Sequence, residues 1–390
     1  MNVMLLAMST FPHDVVPLQA ASQENGNVYS YFTQLEPGCK HLICKLADQR
    51  KKFDKVIVLC TPETLKEYKG KCIENSGGKT IDISTLTPYV FFEERMLSFI
   101  RNDLSAFRYE KELGIDIEPF AKFTFDGLYS EDELRSLFEI VPVINDDFKI
   151  AEGIKNVISK IPPLSGNDGS DIDLYLNAQG GSRTIIQIIN TVLNMLKSRR
   201  YSLSEVNVID FNGDKTSAGY PILNVTGSYL MNDLAAAMNA FLQYGRGDMF
   251  VDYYERYKKE RGLSAAPEDS VVSSINGISD AILICNTEDF LKGIEQLKES
   301  VKEYDLLETE KKDPFFELIV NDIKNSYKEL FDSSDIIDDL DVLVDWCLER
   351  GFIQQILTIL EAKTPYFVFR RGFIYGKKCK KTEKALAELK

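Results

Sequence analysis

The sequence predicts an α/β unit with a mainly parallel sheet and flanking helices, followed by an all-helical C-terminal domain. Three observations predict it. Short apolar runs at residues 1–8 and 54–60 (DKVIVLC) enclose a segment whose later part has helical spacing, the strand, helix, strand order of a parallel unit. Residues 171–178 (DIDLYLNA) alternate in polarity and pass through a glycine turn into TIIQIINTVLNMLKSRR at 184–200, which carries a strong helical pattern. From residue 287 onward every candidate element is helical.

Taken in order, residues 1–8 form the first strand, and the later part of YSYFTQLEPGCKHLICKLADQRKKF a helix before the strand at 54–60. Residues 79–84 are a weaker strand and 91–108 a helix; 115–128 has no clear pattern, and 131–140 reads as a short helix. Pro162, Pro163 and SGNDGS at 165–170 make a polar connection. After the strand, turn and helix of 171–200, VNVIDFN at 206–212 is a further strand, and YPILNVTGSYLM at 220–231 reads as two short antiparallel segments before a helix at 232–241. The composition changes after Tyr244, so 244–262 and 266–280 read as passage to a second module with helices at 287–304, 314–331, 336–350 and 352–362. The expected division is a first domain at 1–245, a linker or connecting helix region at 246–280 and a helical domain at 281–390.

A chain of 390 residues suits two or three domains, and 44% hydrophobic with 27% charged residues suits globular cores. Lys and Arg number 46 against 60 Asp and Glu, a net charge of -14, which excludes a globally basic nucleic-acid coat but not a local phosphate cleft. The opening MNVMLLAMSTF is too short to span a bilayer and gives way to Pro12 and Asp14, so no membrane partner is expected. Seven cysteines at 39, 44, 60, 72, 285, 347 and 379 include no CxxC pair, and reduced thiols in a cytoplasmic protein are the expectation.

The sharpest local signal is Asn177, Gln179, Gly180, Gly181, Ser182, Arg183 and Thr184. Two glycines permit a tight turn with uncovered N–H groups, and the helix that follows aims further unsatisfied N–H groups at the same point, a geometry that suits a phosphate. Ser182 can cap the helix or donate to a phosphate oxygen, and Arg183 adds a planar cation. The competing reading is a capped turn whose arginine pairs with a surface carboxylate. Neither the P-loop spacing GxxxxGK[ST] nor GxGxxG is present. Ser9 and Thr10 follow the first strand, and Thr61 with Glu63 the second, so all can share the crevice beyond the strand ends, with Ser9 and Thr10 reaching a sugar hydroxyl or an adenine edge. Alone, each reads more simply as the end of a strand.

His13 and His41 are the two histidines. Cys39, His41 and Cys44 lack a second ligand cluster, and Cys39 and Cys44 diverge on a helix, so a surface histidine beside semi-buried cysteines is expected and no metal. Neither GxSxG nor a late histidine supports a serine hydrolase. The terminal RRGFIYGKKCKKTEK carries Arg370, Arg371, Lys377, Lys378, Lys380, Lys381 and Lys384, which read either as a patch facing single-stranded RNA or as a solvated tail. Trp346 reads as helical core with Leu340, Val342 and Leu348.

The stretch from DLYLNAQGGSR to FLQYG resembles the CARF proteins, the CRISPR-associated Rossmann-fold sensors of cyclic oligoadenylates. A first strand ending in MST, the segment YFTQLEPGCKHLICKLADQRKKFDKVIVLCT and the helix DLAAAMNAFLQYG support it, together covering most of residues 1–245. The resemblance implies a Rossmann-like sheet, a homodimer with a composite pocket on its two-fold axis, and a cyclic tetra- or hexa-adenylate from a type III CRISPR antiviral response as activating ligand, with no other cofactor. It places Ser9 and Thr10 in the ligand-contacting loop after strand one and Gly180, Gly181, Ser182 and Arg183 in the turn that cradles the ligand backbone. Some CARF domains also cleave their ring slowly, for which Ser9, Thr10 and Arg183 are the candidates here.

LVDWCLERGFIQQILTILEAKTPYF is similar to helices of the CARF proteins that carry a HEPN ribonuclease domain, in which arginine and histidine of RxxxxH motifs cut RNA without metal. No histidine follows position 41, so Arg350, Arg370 and Arg371 have no matching histidine. Truncation before the catalytic helix, a degenerate effector or a different chemistry would each account for that, so no catalytic residue is assigned and activity as an endoribonuclease or ring nuclease stays open. A non-catalytic nucleotide- or RNA-binding regulator and an unrelated enzyme of a small phosphorylated metabolite are the competing functions.

Overall fold

The computed structural model describes residues 1–10, 18–75, 77–101, 107–117, 125, 127–144, 146, 149–162, 172–197, 201–211, 219–333 and 339–372. It divides into two compact units, Met1–Gly227 and Ser228–Lys390.

In chain order the first unit contains β1 (Asn2–Ala7), β2 (Leu18–Ser22), β3 (Val28–Tyr31), α1 (Glu36–Asp48), β4 (Lys55–Cys60), β5 (Cys72–Glu74) and β6 (Thr80–Asp82). There follow α2 (Pro88–Ile100), α3 (Arg108–Glu112), α4 (Glu131–Leu137), β7 (Phe138–Pro142), α5 (Ile150–Lys160), β8 (Ile172–Asn177), α6 (Arg183–Lys197), β9 (Tyr201–Ile209) and β10 (Tyr220–Asn224). Eight strands form one sheet in the order β3-β2-β10-β9-β8-β1-β4-β7, and β5 and β6 form a separate hairpin. β9, β8, β1, β4 and β7 are mutually parallel; β10 runs antiparallel to β9, and β3 antiparallel to β2.

The burial of β1 explains its central place. All six of its residues are buried, as a parallel strand covered on both faces requires. Met4, Leu6 and Met8 pack in one core with Cys39, Leu42 and Ile43 of α1 and with Phe92 and Met96 of α2. Ala7 points to the opposite face, where Ile185 of α6 lies. Helices therefore cover both faces of the sheet, the architecture expected from the sequence. α1 comes very close to the sheet at Gly38, where a Cβ would stand 2.7 Å from Asn207 Oδ1 and 2.8 Å from Asn177 Nδ2.

Several elements differ from expectation. β2 and β3 occupy residues with no strand assignment, and α5 was likewise unmarked. The helix expected over 131–140 ends at Leu137, where the chain becomes the edge strand β7; its start is fixed by a Ser130–Glu133 capping box. The segment 220–231 is one strand and the first turn of a helix rather than two antiparallel strands. Residues 118–124 of the unassigned stretch and the polar connection 165–170 lie outside the described residues.

The second unit is helical throughout: α7 (Thr226–Tyr244, entering from the first unit), α8 (Asp248–Arg261), α9 (Asp269–Leu283), α10 (Thr287–Asp305), α11 (Pro314–Ser326), α12 (Lys328–Asp332), α13 (Leu340–Glu349) and α14 (Ile353–Arg370). One apolar core joins Phe241, Phe250, Tyr254, Ile275, Ile294, Phe316, Tyr327 and Trp346. Gly293 lets α10 close on α9, since a Cβ there would sit 2.8 Å from Ile278 Cγ1. Asn286 and Asp313 cap the starts of α10 and α11 by accepting backbone N–H bonds.

Of the two expectations for 246–280, a linker or a connecting helix region, the structure has helices. The segment holds α8 and most of α9, whose Val271, Val272, Ile275 and Ile278 lie on one buried stripe. The polar residues of APEDSVVSSINGISD masked that stripe. The division also falls at Gly227 instead of near 245, because Leu230, Leu234, Ala237 and Phe241 of α7 belong to the helical core.

Candidate anion-binding turn

β1 and β8 are parallel neighbours, but α1 and α6 lie on opposite faces of the sheet. Such a reversal opens a crevice beyond the carboxyl ends of the two strands. Ser9 and Thr10 leave β1 there, residues 178–184 leave β8, and Thr61 leaves the adjoining β4.

The turn is built by Gly180 and Gly181, at φ +90 and +80. An L side chain is strained in that region, and here there is no room for one either. A Cβ on Gly180 would meet Ala7 O at 2.9 Å and Ser9 Cβ at 3.3 Å, and one on Gly181 would meet Ala7 Cβ at 2.5 Å. The turn is thus pressed against the end of β1. Ser182 is the helix cap, its carbonyl accepting from Ile186 N at 3.1 Å and its hydroxyl from Ile185 N at 3.4 Å.

What remains is a run of donors without acceptors. Among the described residues, the N–H groups of Gly180, Gly181, Ser182, Arg183 and Thr184 donate to no acceptor. Arg183 is exposed and makes no hydrogen bond or ion pair among the described residues, so it pairs with no carboxylate among them. Ser9 and Thr184 are half-buried and Thr10 is exposed, which leaves them accessible from the crevice. The positive end of the α6 dipole adds to the field at the same place. Together these groups can bind an oxyanion.

Three of the expected ligand contacts, Asn177, Gln179 and Thr61, also make bonds within the frame. Asn177 is 1% exposed; its Nδ2 donates to Leu35 O at 2.8 Å and its Oδ1 accepts from Gln179 N at 3.1 Å. Gln179 Oε1 accepts from Ile209 N at 3.0 Å, tying the turn to β9. Thr61 is buried, and its carbonyl accepts from Thr64 N at 3.0 Å and from Thr64 Oγ1 at 2.9 Å. These bonds help to fix the shape of the turn.

His41 is not a surface histidine. It is 2% exposed and faces Glu24 and Glu205, not the cysteines. Cys39 and Cys44 are buried rather than semi-buried; burial pushes the Cys39 thiol up to about 12 and raises Cys44 as well, so both are inert as nucleophiles. His13 and Cys379 lie outside the described residues.

Two groups of residues escaped sequence reasoning. Asn207, 0% exposed, donates from Nδ2 to Gly38 O at 3.0 Å and so holds α1 against β9. Its signal was a glycine early in a helix, a mark of close approach. Beside it, Glu36, Lys40, Arg95 and Glu110 form a buried charge network. Arg95 Nε donates to Glu36 Oε2 at 2.7 Å, and its two terminal nitrogens donate to the Glu110 carboxylate at 3.2 and 2.8 Å. Lys40 Nζ reaches Glu36 Oε2 at 2.9 Å and Ser30 O at 2.7 Å. The network joins β3, α1, α2 and α3 across residues distant in sequence, which periodicity does not reveal.

In the helical unit, Arg350 is occupied. Its guanidinium carbon lies 3.9 Å from the Trp346 ring centroid, and it donates to Ser326 O, Ser326 Oγ and Trp346 O. Trp346 and Leu340 are core, as expected, with the Trp346 indole N–H donating to Ser326 O, and Val342 packs against that core, but Leu348 is exposed because it falls on the outer face of its helix. Arg371 is exposed, and Lys377, Lys378, Lys380, Lys381 and Lys384 lie outside the described residues.

No family model matches the chain, and no curated protein matches it. No helix among the described residues is long and apolar enough to cross a membrane.

Proposed function

We propose that this protein is a cytoplasmic sensor of cyclic oligoadenylate in type III CRISPR antiviral defence. The ligand binds in a homodimeric pocket to which each copy contributes Ser9, Thr10 and the Gly180–Thr184 turn. The observation that carries the reading is the run of five amides without acceptors beside Arg183, which has no partner among the described residues, at the point where strand order reverses. Amides and a guanidinium fork are the donors a phosphodiester uses, and a two-fold dimer suits a symmetric ring. The helical unit is the HEPN-like output, and it responds to the ligand only if its two arrangements bind the ligand unequally.

Calorimetric titration of cyclic tetra-adenylate and cyclic hexa-adenylate into the full chain tests this. Tight binding of one ring, weakened in Arg183→Ala, is expected; silence toward both rings from a folded dimer would overturn it.

A second reading is a nucleotide- or RNA-binding regulator without catalysis. It is favoured by the engagement of Arg350 with Trp346 and Ser326 and by the absence of histidine after position 41. Histidine is the usual proton shuttle near neutral pH, and arginine does not replace it. Cleavage of single-stranded RNA by the pure protein would count against this second reading.

A further inference from the structure

Away from the crevice, one polar cluster is buried more deeply than its hydrogen bonds account for. Glu24 lies in the turn between β2 and β3, its N–H donating to Ser22 Oγ at 3.2 Å. His41 lies on α1, about one turn beyond Gly38. Glu205 is on β9, at a bulge: Leu174 pairs with Leu203 but Tyr175 with Glu205, so Ser204 is the extra residue. A bulge re-aims the side chains beside it, and this one turns Glu205 toward α1.

His41 Nε2 stands 3.7 Å from Glu24 Oε2 and 3.7 Å from Glu205 Oε1, beyond hydrogen-bond distance, and the three ligand atoms all lie within 4.8 Å of one another. Lys45 Nζ reaches Glu24 Oε2 at 2.6 Å and Glu205 Oε2 at 2.7 Å. It leaves Glu205 Oε1, the oxygen that faces the imidazole, without a hydrogen-bond partner although the residue is only 4% exposed. A buried carboxylate oxygen without a donor is costly, and a cation at that point would remove the cost.

We propose that Glu24, His41 and Glu205 bind a divalent first-row transition cation, of which zinc is the first to test. One imidazole nitrogen and two carboxylate oxygens are ligands zinc accepts at roughly 2.0 to 2.2 Å, and tetrahedral ligands at that radius stand about 3.4 Å apart. Closing the two 3.7 Å separations needs movements of a few tenths of an ångström. Glu24 is 39% exposed, so it can adjust, and water can complete the shell from its side. Lys45 orients Glu205 by holding its Oε2, as outer groups commonly do, and its contact with Glu24 Oε2 must yield to the cation as that exposed carboxylate turns. The site ties the β2–β3 turn to α1 and β9 and is independent of the nucleotide reading.

The test uses the full chain stripped with chelator and titrated with zinc by calorimetry, with thermal unfolding in parallel. Uptake of one zinc per chain and a rise in melting midpoint are expected. Glu24→Gln should weaken uptake about tenfold or more, and His41→Ala should abolish uptake. Cobalt in place of zinc should give a nitrogen–oxygen spectrum without thiolate charge transfer, which separates this site from the cysteines. No saturable uptake, parental affinity in Glu24→Gln, or a thiolate band would each overturn the proposal. If His41→Ala does not fold, Glu24→Gln decides alone.

Discussion

Gly181 lies so close to Ala7 that a Cβ on it would come within 2.5 Å of the Ala7 Cβ, and its φ of +80 independently excludes a relaxed side chain. Gly181→Ala should therefore cost roughly 2 to 4 kcal/mol, from left-handed strain and overpacking together. Adding Ala7→Gly should recover the packing part and leave the strain. Urea unfolding of the parent and the two variants measures this, and a Gly181→Ala protein as stable as its parent would refute the turn geometry.

Arg183 presents the opposite case, an exposed cation with no partner among the described residues. Arg183→Ala should change stability by no more than about 0.5 kcal/mol. It should weaken binding of a cyclic oligoadenylate by roughly 10- to 100-fold and flatten the salt dependence of that binding. Calorimetry at two ionic strengths checks both effects. Unchanged affinity in a folded variant would remove Arg183 from the site.

Much of this arrangement was legible because it is local. The strand over 172–177, the glycine turn and α6 stand in one continuous stretch, and alternation passing into helical periodicity marks them without tertiary knowledge. The split between residues that line the crevice and residues that frame it was not legible. Asn177 and Ser182 are both small polar residues in the same turn, yet Asn177 faces inward because α1 brings Leu35 O to it, a contact 142 positions away in sequence. β7 escaped for another reason: FEIVP continues the charged and apolar mixture of α4, and only pairing with β4 makes it a strand. Likewise His41 looked like a surface residue until the bulge in β9 set Glu205 against it.

Asn177→Ala tests the framing role. It would leave the buried carbonyl of Leu35 without its side-chain donor and release the N–H of Gln179, at a cost of about 1 to 3 kcal/mol. Because the side chain lies inside, a ligand at saturating concentration should still bind, with affinity reduced only as far as the turn loosens. Thermal unfolding with and without ligand reads the two effects apart: the ligand-induced rise in midpoint should persist in Asn177→Ala and shrink markedly in Arg183→Ala. A rise lost equally in both would return Asn177 to the ligand-contacting set.

The buried charges make a prediction about acid. Burial alone would raise the Glu36 carboxyl, but Arg95 and then Lys40 outweigh it and hold the group at about 2, against an ordinary 4.5. Glu110 is lowered in the same way, with burial again opposed by Arg95. Burial weighs more heavily on Lys40 and lowers it, which makes Arg95 the firmer cation. With folded values depressed, the unfolded chain binds more protons, so the network's contribution is fully present above about pH 4.5 and is lost as pH falls toward 2. Arg95→Met leaves two buried carboxylates short of their main partner and should cost roughly 3 to 5 kcal/mol at neutral pH. In that variant burial raises the carboxyl groups instead, so protonation relieves it as the pH drops while the parent weakens. Urea unfolding of both proteins at pH 7, 5 and 4 should show the gap between them narrowing with acid. A gap that stays constant would mean that the network is not held in its charged form.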